Sequence, residues 1–315
     1  MTLVSTTPNV PAPAPGGPAR RTRSTALQTS SALLVTARPR QWLKNVLVLA
    51  APSAAGVMLI PSTAAAALWA GIAFTLAAAS TYFVNDARDV EADRLHPVKA
   101  RRPVAEGVIG RRSAYRGGVV LGALALAAAA PLGWSTTAVI AAYLALTLTY
   151  STWLKNQAVL DILAVAAGFV LRAVAGATAT GVQLSNWFLL VALFGSLYLV
   201  ISKRVAEQAG SVTAATVRPT LGGYPPAWLQ QVLVLSLTGT VLSYATWALQ
   251  YVGADVARPA LALSVLPFLA ALMRYSLLVA RGLGEAPEKV LTSDRFLLVA
   301  GAVWAGLVGS ALYLT

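Results

Sequence analysis

The sequence predicts an all-α polytopic membrane protein, with nine transmembrane helices around a central cavity that opens to the cytoplasmic side. Three observations point there. The 315-residue chain is 57% hydrophobic and only 11% charged, where a soluble protein carries about a quarter charged residues. Apolar runs recur along most of its length, many near the roughly 20 residues that a helical span needs. These runs are continuous rather than alternating, which excludes a membrane β-barrel.

Residues 1–30 are rich in Pro, Ala, Ser and Thr and carry Arg20, Arg21 and Arg23. No apolar core follows those bases, so the stretch is not a signal peptide. It reads as a disordered basic cytoplasmic tail, followed by one transmembrane domain over 31–315. The expected spans are 43–60, 64–84, 113–131, 136–150, 157–177, 186–202, 227–251, 259–279 and 295–314.

With the N-terminus inside, 21 of the 24 Lys and Arg residues fall in inner segments, two within spans (Arg172 and Arg274) and only Arg258 outside. Positive-inside bias therefore sets the N-terminus in the cytoplasm and the C-terminus outside, which suits a multi-pass protein of the plasma (inner) membrane. Among the eleven acids only Asp255 is outer. Acids contribute little to topology, so the polar chemistry itself is gathered at the cytoplasmic face. The net charge of +13 accordingly expresses orientation in a lipid bilayer, and no nucleic-acid partner is expected. Without cysteine there is no disulfide, thiolate catalysis or Cys-ligated metal, and the single histidine, His96, leaves no His-based metal cluster.

One short echo is visible. "QWLKN" (Gln41–Asn45) and "TWLKN" (Thr152–Asn156) each open a span from the inner side. Interfacial anchoring by Trp and Lys accounts for it. Equally, two equivalent helix starts could aim Lys44 and Lys155 into one cavity.

At the inner end of the second span stands "NDARDVEAD", Asn85–Asp93, with four of the eleven carboxylates in nine residues. At about 100° per residue, Asn85, Asp86, Asp89 and Asp93 share one arc of a helix, and Arg88 and Glu91 point elsewhere. Carboxylates so grouped repel unless something cationic sits against them. All-oxygen donors select hard cations, Mg²⁺ above all where phosphates complete the shell. A solvated acidic loop balanced by neighbouring arginines is the plainer alternative. Arg94, Lys99, Arg101 and Arg102 follow directly. They suit the remaining charge of a polyphosphate, or simply obey the positive-inside rule.

The stretch "NDARDVEADRLHPVKARRPVAEG" resembles the first signature of the UbiA-type intramembrane prenyltransferase superfamily, an NDxxDxxxD motif followed by a basic HPxKxxRP loop. The resemblance implies that Asn85, Asp89 and Asp93 bind Mg²⁺ that holds a diphosphate, with Asp86 beside them and Asp86, Asp89 and Asp93 carrying the catalysis. One departure stands out. Typical members have a second DxxxD motif near the inner end of the sixth span, where this chain reads "GSLYLVISKRVAEQ" with Lys203 and Arg204. Extra cations suit an anionic acceptor, since a phosphate monoester carries about −1.5 to −2 at pH 7.

"RPRQWLKN", "NDARDVEADR", "YSTWLKNQAVLD" and "SKRVAE" are together similar to the branch of the superfamily that takes 5-phosphoribose 1-diphosphate (phosphoribosyl diphosphate) as donor and a polyprenyl (decaprenyl) phosphate as acceptor. The product implied is the lipid-linked precursor of the arabinose donor for cell-wall polysaccharide. An anionic nucleophile needs no general base, and in-line attack on C1 implies inversion.

Lys44, Lys155, Lys203 and Arg204 then become substrate-binding candidates or, equally simply, snorkelling cations. Asp161 is a candidate because it ionises at membrane depth; it is expected to pair with Lys155 or Arg172, or to bind a ribose hydroxyl. Tyr150 and Tyr82 are weaker candidates, and His96 is expected to be structural. Arg172 and Arg274 should each find a carbonyl or carboxylate. Two other readings stay open: an aromatic prenyltransferase of quinone biosynthesis, and a transporter, which should show internal repeats and polar groups at mid-depth. Assembly into a homo-oligomer is also compatible with the layout.

Overall fold

The computed structural model describes residues 25–210, 220–250, 259–283 and 287–314. Residues 1–24 of the expected tail, together with Arg218, Asp255, Arg258 and Glu285, lie outside them. Every regular element among the described residues is helical.

Helix α1 (Thr25–Ala37) begins inside the stretch expected to be tail. A 3-10 segment, Pro39–Leu49, leads into the short α2 (Ala50–Ala54). Then come α3 (Pro61–Arg88), α4 (Val90–Arg94), α5 (Arg111–Ala129), α6 (Trp134–Thr152), α7 (Leu160–Thr180) and α8 (Asn186–Gly210). The chain closes with α9 (Pro226–Leu249), α10 (Pro259–Ala280), α11 (Pro287–Ser293) and α12 (Arg295–Tyr313).

Among the described residues seven helices are long and apolar enough to cross a membrane: α3, α5, α7, α8, α9, α10 and α12. They coincide with seven of the nine expected spans. The other two differ for separate reasons. Helix α6 has 19 residues but is rich in Ser and Thr. Thr137, Thr147 and Thr149 return their hydroxyls to the carbonyls of Gly133, Tyr143 and Ala145, so the helix satisfies its polar atoms internally. The first expected span, 43–60, is not a long α-helix at all.

That first segment is held close against α7. A Cβ placed on Gly176 would overlap the Val48 carbonyl, so only glycine permits the approach, as small residues do between membrane helices. Close packing of α3 on α5 uses the same device at Gly118, whose carbonyl accepts from Ser80 Oγ at 2.7 Å. One apolar core gathers Phe74, Ile140, Tyr143 and Val48 between α3, α6, α7 and the 3-10 segment. A second gathers Tyr198, Ile201, Leu229, Leu233 and Tyr275 between α8, α9 and α10.

Two apolar cavities accompany these cores. One, of about 880 Å³, runs between α1, the 3-10 segment, α3 and α5, past Leu34, Trp42 and Phe83. The other, of about 600 Å³, lies among α7 to α10 and α12, past Phe169, Tyr198, Tyr244 and Trp304. No carboxylate lines either one.

Candidate functional site

The acidic run sits where α3 ends. Asp89 leaves helical geometry at φ −89°, ψ 13°, yet the i→i+4 hydrogen bonds continue across it. The Asp89 N–H donates to Asn85 O at 2.9 Å and the Asp93 N–H to Asp89 O at 2.8 Å. The expected one-face arrangement therefore survives the break between α3 and α4.

Each member of that face already has a partner. Asp86, 2% exposed, accepts from Arg38 at 2.5 Å and from Arg102 at 3.2 Å. Arg102 also donates to buried Asp93 at 2.7 Å. Lys155 Nζ lies 3.1 and 3.4 Å from the two oxygens of Asp89. Ser151 Oγ donates to Asn85 Oδ1. The cation that the sequence required against this face is, in this structure, the protein's own.

Among the described residues no three His, Cys, Asp or Glu side chains converge as a ready-made metal cage. The donor set still suits Mg²⁺. It offers only oxygens, from Asn85, Asp89 and Asp93, and Mg²⁺ is commonly held by one or two carboxylates with substrate phosphates and water completing the shell.

The other candidates separate into two groups. At the acidic face stand Arg102 and Lys155. Arg94 instead pairs with exposed Glu91 and donates to the Ala105 carbonyl. Arg101 is exposed, and Lys99, Lys44 and Tyr150 are half-buried. His96 is structural, as expected: its Nδ1 accepts the N–H groups of Val98 and Lys99 at 3.1 and 3.3 Å.

Asp161 belongs to a second, buried cluster, and its expected pairing is corrected. It meets neither Lys155 nor Arg172. Its Oδ1 accepts from Tyr224 Oη at 2.5 Å and its Oδ2 from Thr220 at 3.1 Å. Arg204 Nε faces Oδ2 at 3.8 Å. Lys155 is taken by Asp89. Arg172 is held by the Gly168 carbonyl at 2.6 Å, Asn45 Oδ1 at 2.9 Å and Tyr143 Oη at 3.2 Å. Arg274 has the expected carboxylate, Asp294, at 2.8 Å.

Lys203 and Arg204 are likewise not a matched pair. Lys203 is 42% exposed, 3.9 Å from Glu207. Arg204 is 2% exposed and bonded to Glu207 at 3.0 Å. Successive helical residues face about 100° apart, so one side chain reaches water and the other the core. Snorkelling describes Lys203 only.

Between the two groups the backbone is strained. Val159 has φ 68°, ψ −47°, and the Leu160 N–H donates to Ala158 O at 2.8 Å. This is a γ-turn of the rare, left-handed kind, costing a β-branched residue about 1–3 kcal/mol. Tyr224 Oη accepts the Val159 N–H at 2.6 Å. Burial, and then the bond to Asp161, push the Tyr224 phenol up to about 12.

Sequence reasoning missed Arg38, Ser151, Thr220, Tyr224 and Glu207. Arg38 lies 48 positions from Asp86, with no spacing rule to link them. Ser151 stands directly before the second "TWLKN", so the echo pointed to the right neighbourhood without naming it.

Residues 45–300 match the UbiA prenyltransferase family. A decaprenyl-phosphate phosphoribosyltransferase of Mycolicibacterium smegmatis is 42% identical over 299 residues, covering 90% of this chain and 93% of that protein. A protein of the same name from Corynebacterium glutamicum is 43% identical over 284 residues, covering 88% and 85%. Among solved structures, a UbiA homolog from Archaeoglobus fulgidus bound to GPP and Mg²⁺ superposes with a TM-score of 0.67 at 20% identity, over 90% of this chain and 100% of that one. That last likeness concerns the fold.

Proposed function

The chain belongs to the UbiA prenyltransferase family, and from that premise we propose that it is a decaprenyl-phosphate phosphoribosyltransferase. It transfers 5-phosphoribosyl from 5-phosphoribose 1-diphosphate to a polyprenyl phosphate and releases diphosphate. The observation that carries the reading is chain-long identity of 42–43% to enzymes of that name. Lys203, with its side chain 42% exposed where relatives of the wider superfamily carry a second acidic motif, agrees with it.

In this reading Asn85, Asp89 and Asp93 hold Mg²⁺. When bound, the ion neutralises the diphosphate and stabilises its departing charge. The chain's own residues do the rest. Lys155 and Arg102, already at the acidic face, turn to the phosphate oxygens as charge-assisted donors. Asp86, buried and bonded to Arg38 and Arg102, keeps both guanidiniums at the site. The acceptor phosphate attacks C1 as an anion, opposite the departing diphosphate, so configuration inverts and no general base is needed.

The finer topology belongs to the same proposal. Nine crossings, with α6 and the Pro39–Ala54 segment as the two additional ones, enclose a cavity open to the cytoplasm. The N-terminus lies on the cytoplasmic side of the plasma membrane, a reading supported by the distribution of Lys and Arg.

Detergent-purified protein, with Mg²⁺, should join phosphoribosyl diphosphate to a polyprenyl phosphate. Transfer of a prenyl group from its diphosphate to an aromatic acid, with phosphoribosyl diphosphate ignored, would sink the proposal.

A further inference from the structure

Lys155 is presented to Asp89 by the connection between α6 and α7, and that connection turns on a single strained residue. Three residues separate Lys155 from Val159, which begins α7 with a positive φ. A valine does not hold that geometry unaided, because its Cβ branching disfavours φ > 0. The geometry persists only where surrounding contacts over-determine it.

Backbone bonds supply part of those contacts, Asp161 N–H to Gln157 O at 3.0 Å and Leu163 N–H to Val159 O at 2.9 Å, and one side chain supplies the rest. Tyr224 Oη takes the Val159 N–H at 2.6 Å and gives its own proton to Asp161, two residues further on, at 2.5 Å. One hydroxyl thus bridges the centre of the turn and the first turn of α7. The tyrosine is itself a rigid post. Its ring stacks on Trp228, with centroids 5.0 Å apart and planes 8° from parallel. Its carbonyl is fixed by Gln208 Nε2 at 2.9 Å. Asp161 is fixed from its other oxygen by Thr220. Tyr224 and Thr220 lie on the α8–α9 connection, so one connection clamps the other.

We propose that Tyr224 is a positioning residue for the reaction: by clamping the Val159 turn between its hydroxyl and Asp161, it holds Lys155 at Asp89, where the diphosphate of the donor is met. The inference rests on the proposed function for the identity of the donor, but not for the clamp.

The test is a set of variants read by titration calorimetry with inorganic diphosphate and Mg²⁺, and by KM and kcat for phosphoribosyl diphosphate. Tyr224→Phe should weaken diphosphate binding and raise KM by about tenfold, the size of one lost charge-assisted contact, while kcat changes less. In a Lys155→Ala background Tyr224→Phe should add nothing, because it acts through that lysine. Val159→Gly should restore much of the loss in Tyr224→Phe, since glycine adopts positive φ freely. A merely structural role would give the reverse, because a new glycine adds unfolded-state entropy.

Should Tyr224→Phe fail to fold, Thr220→Val loosens Asp161 from the same clamp and should produce a smaller loss, again absent without Lys155. Unchanged diphosphate affinity, losses additive with Lys155→Ala, or no recovery with glycine would each overturn the inference. So would a wild-type protein that binds no diphosphate. Binding that follows the expected pattern in a protein that does not turn over phosphoribosyl diphosphate would support the clamp and refute the donor.

Discussion

Arg102 Nη1 stands 2.7 Å from Asp93 and 3.2 Å from Asp86, so one guanidinium of the basic loop bridges two carboxylates seven residues apart. Acid and base that follow each other in sequence form one network in space. A metal with its phosphates would enter such a network by exchanging partners, cation for cation and anion for anion, which would keep the buried acids compensated.

The carboxylates should be indispensable. Asp89→Ala and Asp93→Ala should each reduce turnover more than about 100-fold, because metal stabilisation of a leaving group contributes several kcal/mol and each 1.36 kcal/mol is tenfold in rate. Initial rates with and without excess EDTA check this. Activity that persists in both variants, or in the chelator, removes the metal assignment.

Lys203 and Arg204 should part company. Lys203→Ala should leave the fold intact, because its side chain is 42% exposed and its pairing with Glu207 is long, at 3.9 Å, and should weaken handling of an anionic substrate. Arg204→Ala takes the buried guanidinium away from Asp161, which keeps only the neutral hydroxyls of Tyr224 and Thr220, and from Glu207. Breaking such an ion pair costs about 3–5 kcal/mol. Thermal unfolding in detergent should therefore fall steeply for Arg204→Ala only. Equal melting temperatures would contradict the burial of Arg204.

Gly176→Ala should lower stability by about 1–3 kcal/mol, the usual cost of overpacking, because its methyl group would meet the Val48 carbonyl. Gly168 provides the comparison. A Cβ there finds its nearest atom, Tyr143 Cε2, at 3.7 Å, an ordinary contact, so Gly168→Ala should be neutral or mildly stabilising. Thermal unfolding of the two variants side by side decides it.

Tyr224 carries a pH signature. Its folded-state pKa is raised, so its contribution to stability is complete below the ordinary phenol value of about 10 and is lost as pH rises through about 12. Ultraviolet titration of wild type against Tyr224→Phe should show one phenolate that appears late. Difference absorbance already complete near the ordinary value would mean that the phenol is neither buried nor bonded to Asp161.

Hydropathy and charge made the seven long helices and the acidic face legible, because both are local: a span is a run, and a helix face is a spacing. Partner choice was not. Asp161 was expected to meet Lys155, Arg172 or a ribose hydroxyl, and within the protein it meets Tyr224 and Thr220, 63 and 59 residues on. Only the fold, which sets Thr220 and Tyr224 against the start of α7, brings them together. Arg38 reaches Asp86 from a left-handed backbone position, φ 54°, which composition does not announce. The burial of Arg204 beside exposed Lys203 follows from which side of α8 packs on α7, a property of the bundle. The first expected span departs from a long α-helix for a different reason. Its residues are apolar enough, but Gly176 and the Asn45–Arg172 bond fix it in a conformation that a count of apolar residues does not distinguish.

That conformation changes the length of the segment. A 3-10 helix rises about 2.0 Å per residue against 1.5 Å for an α-helix. The eleven residues Pro39–Leu49 thus extend about 22 Å, where α-winding would give about 16 Å. Adding the five residues of α2 brings the reach to about 30 Å, the hydrocarbon thickness of a bilayer. Sixteen residues cover a distance that ordinarily takes twenty. The segment is in effect a drawn-out strut, and rewinding it by one helical register would move Lys44 along the segment's own axis by several ångströms.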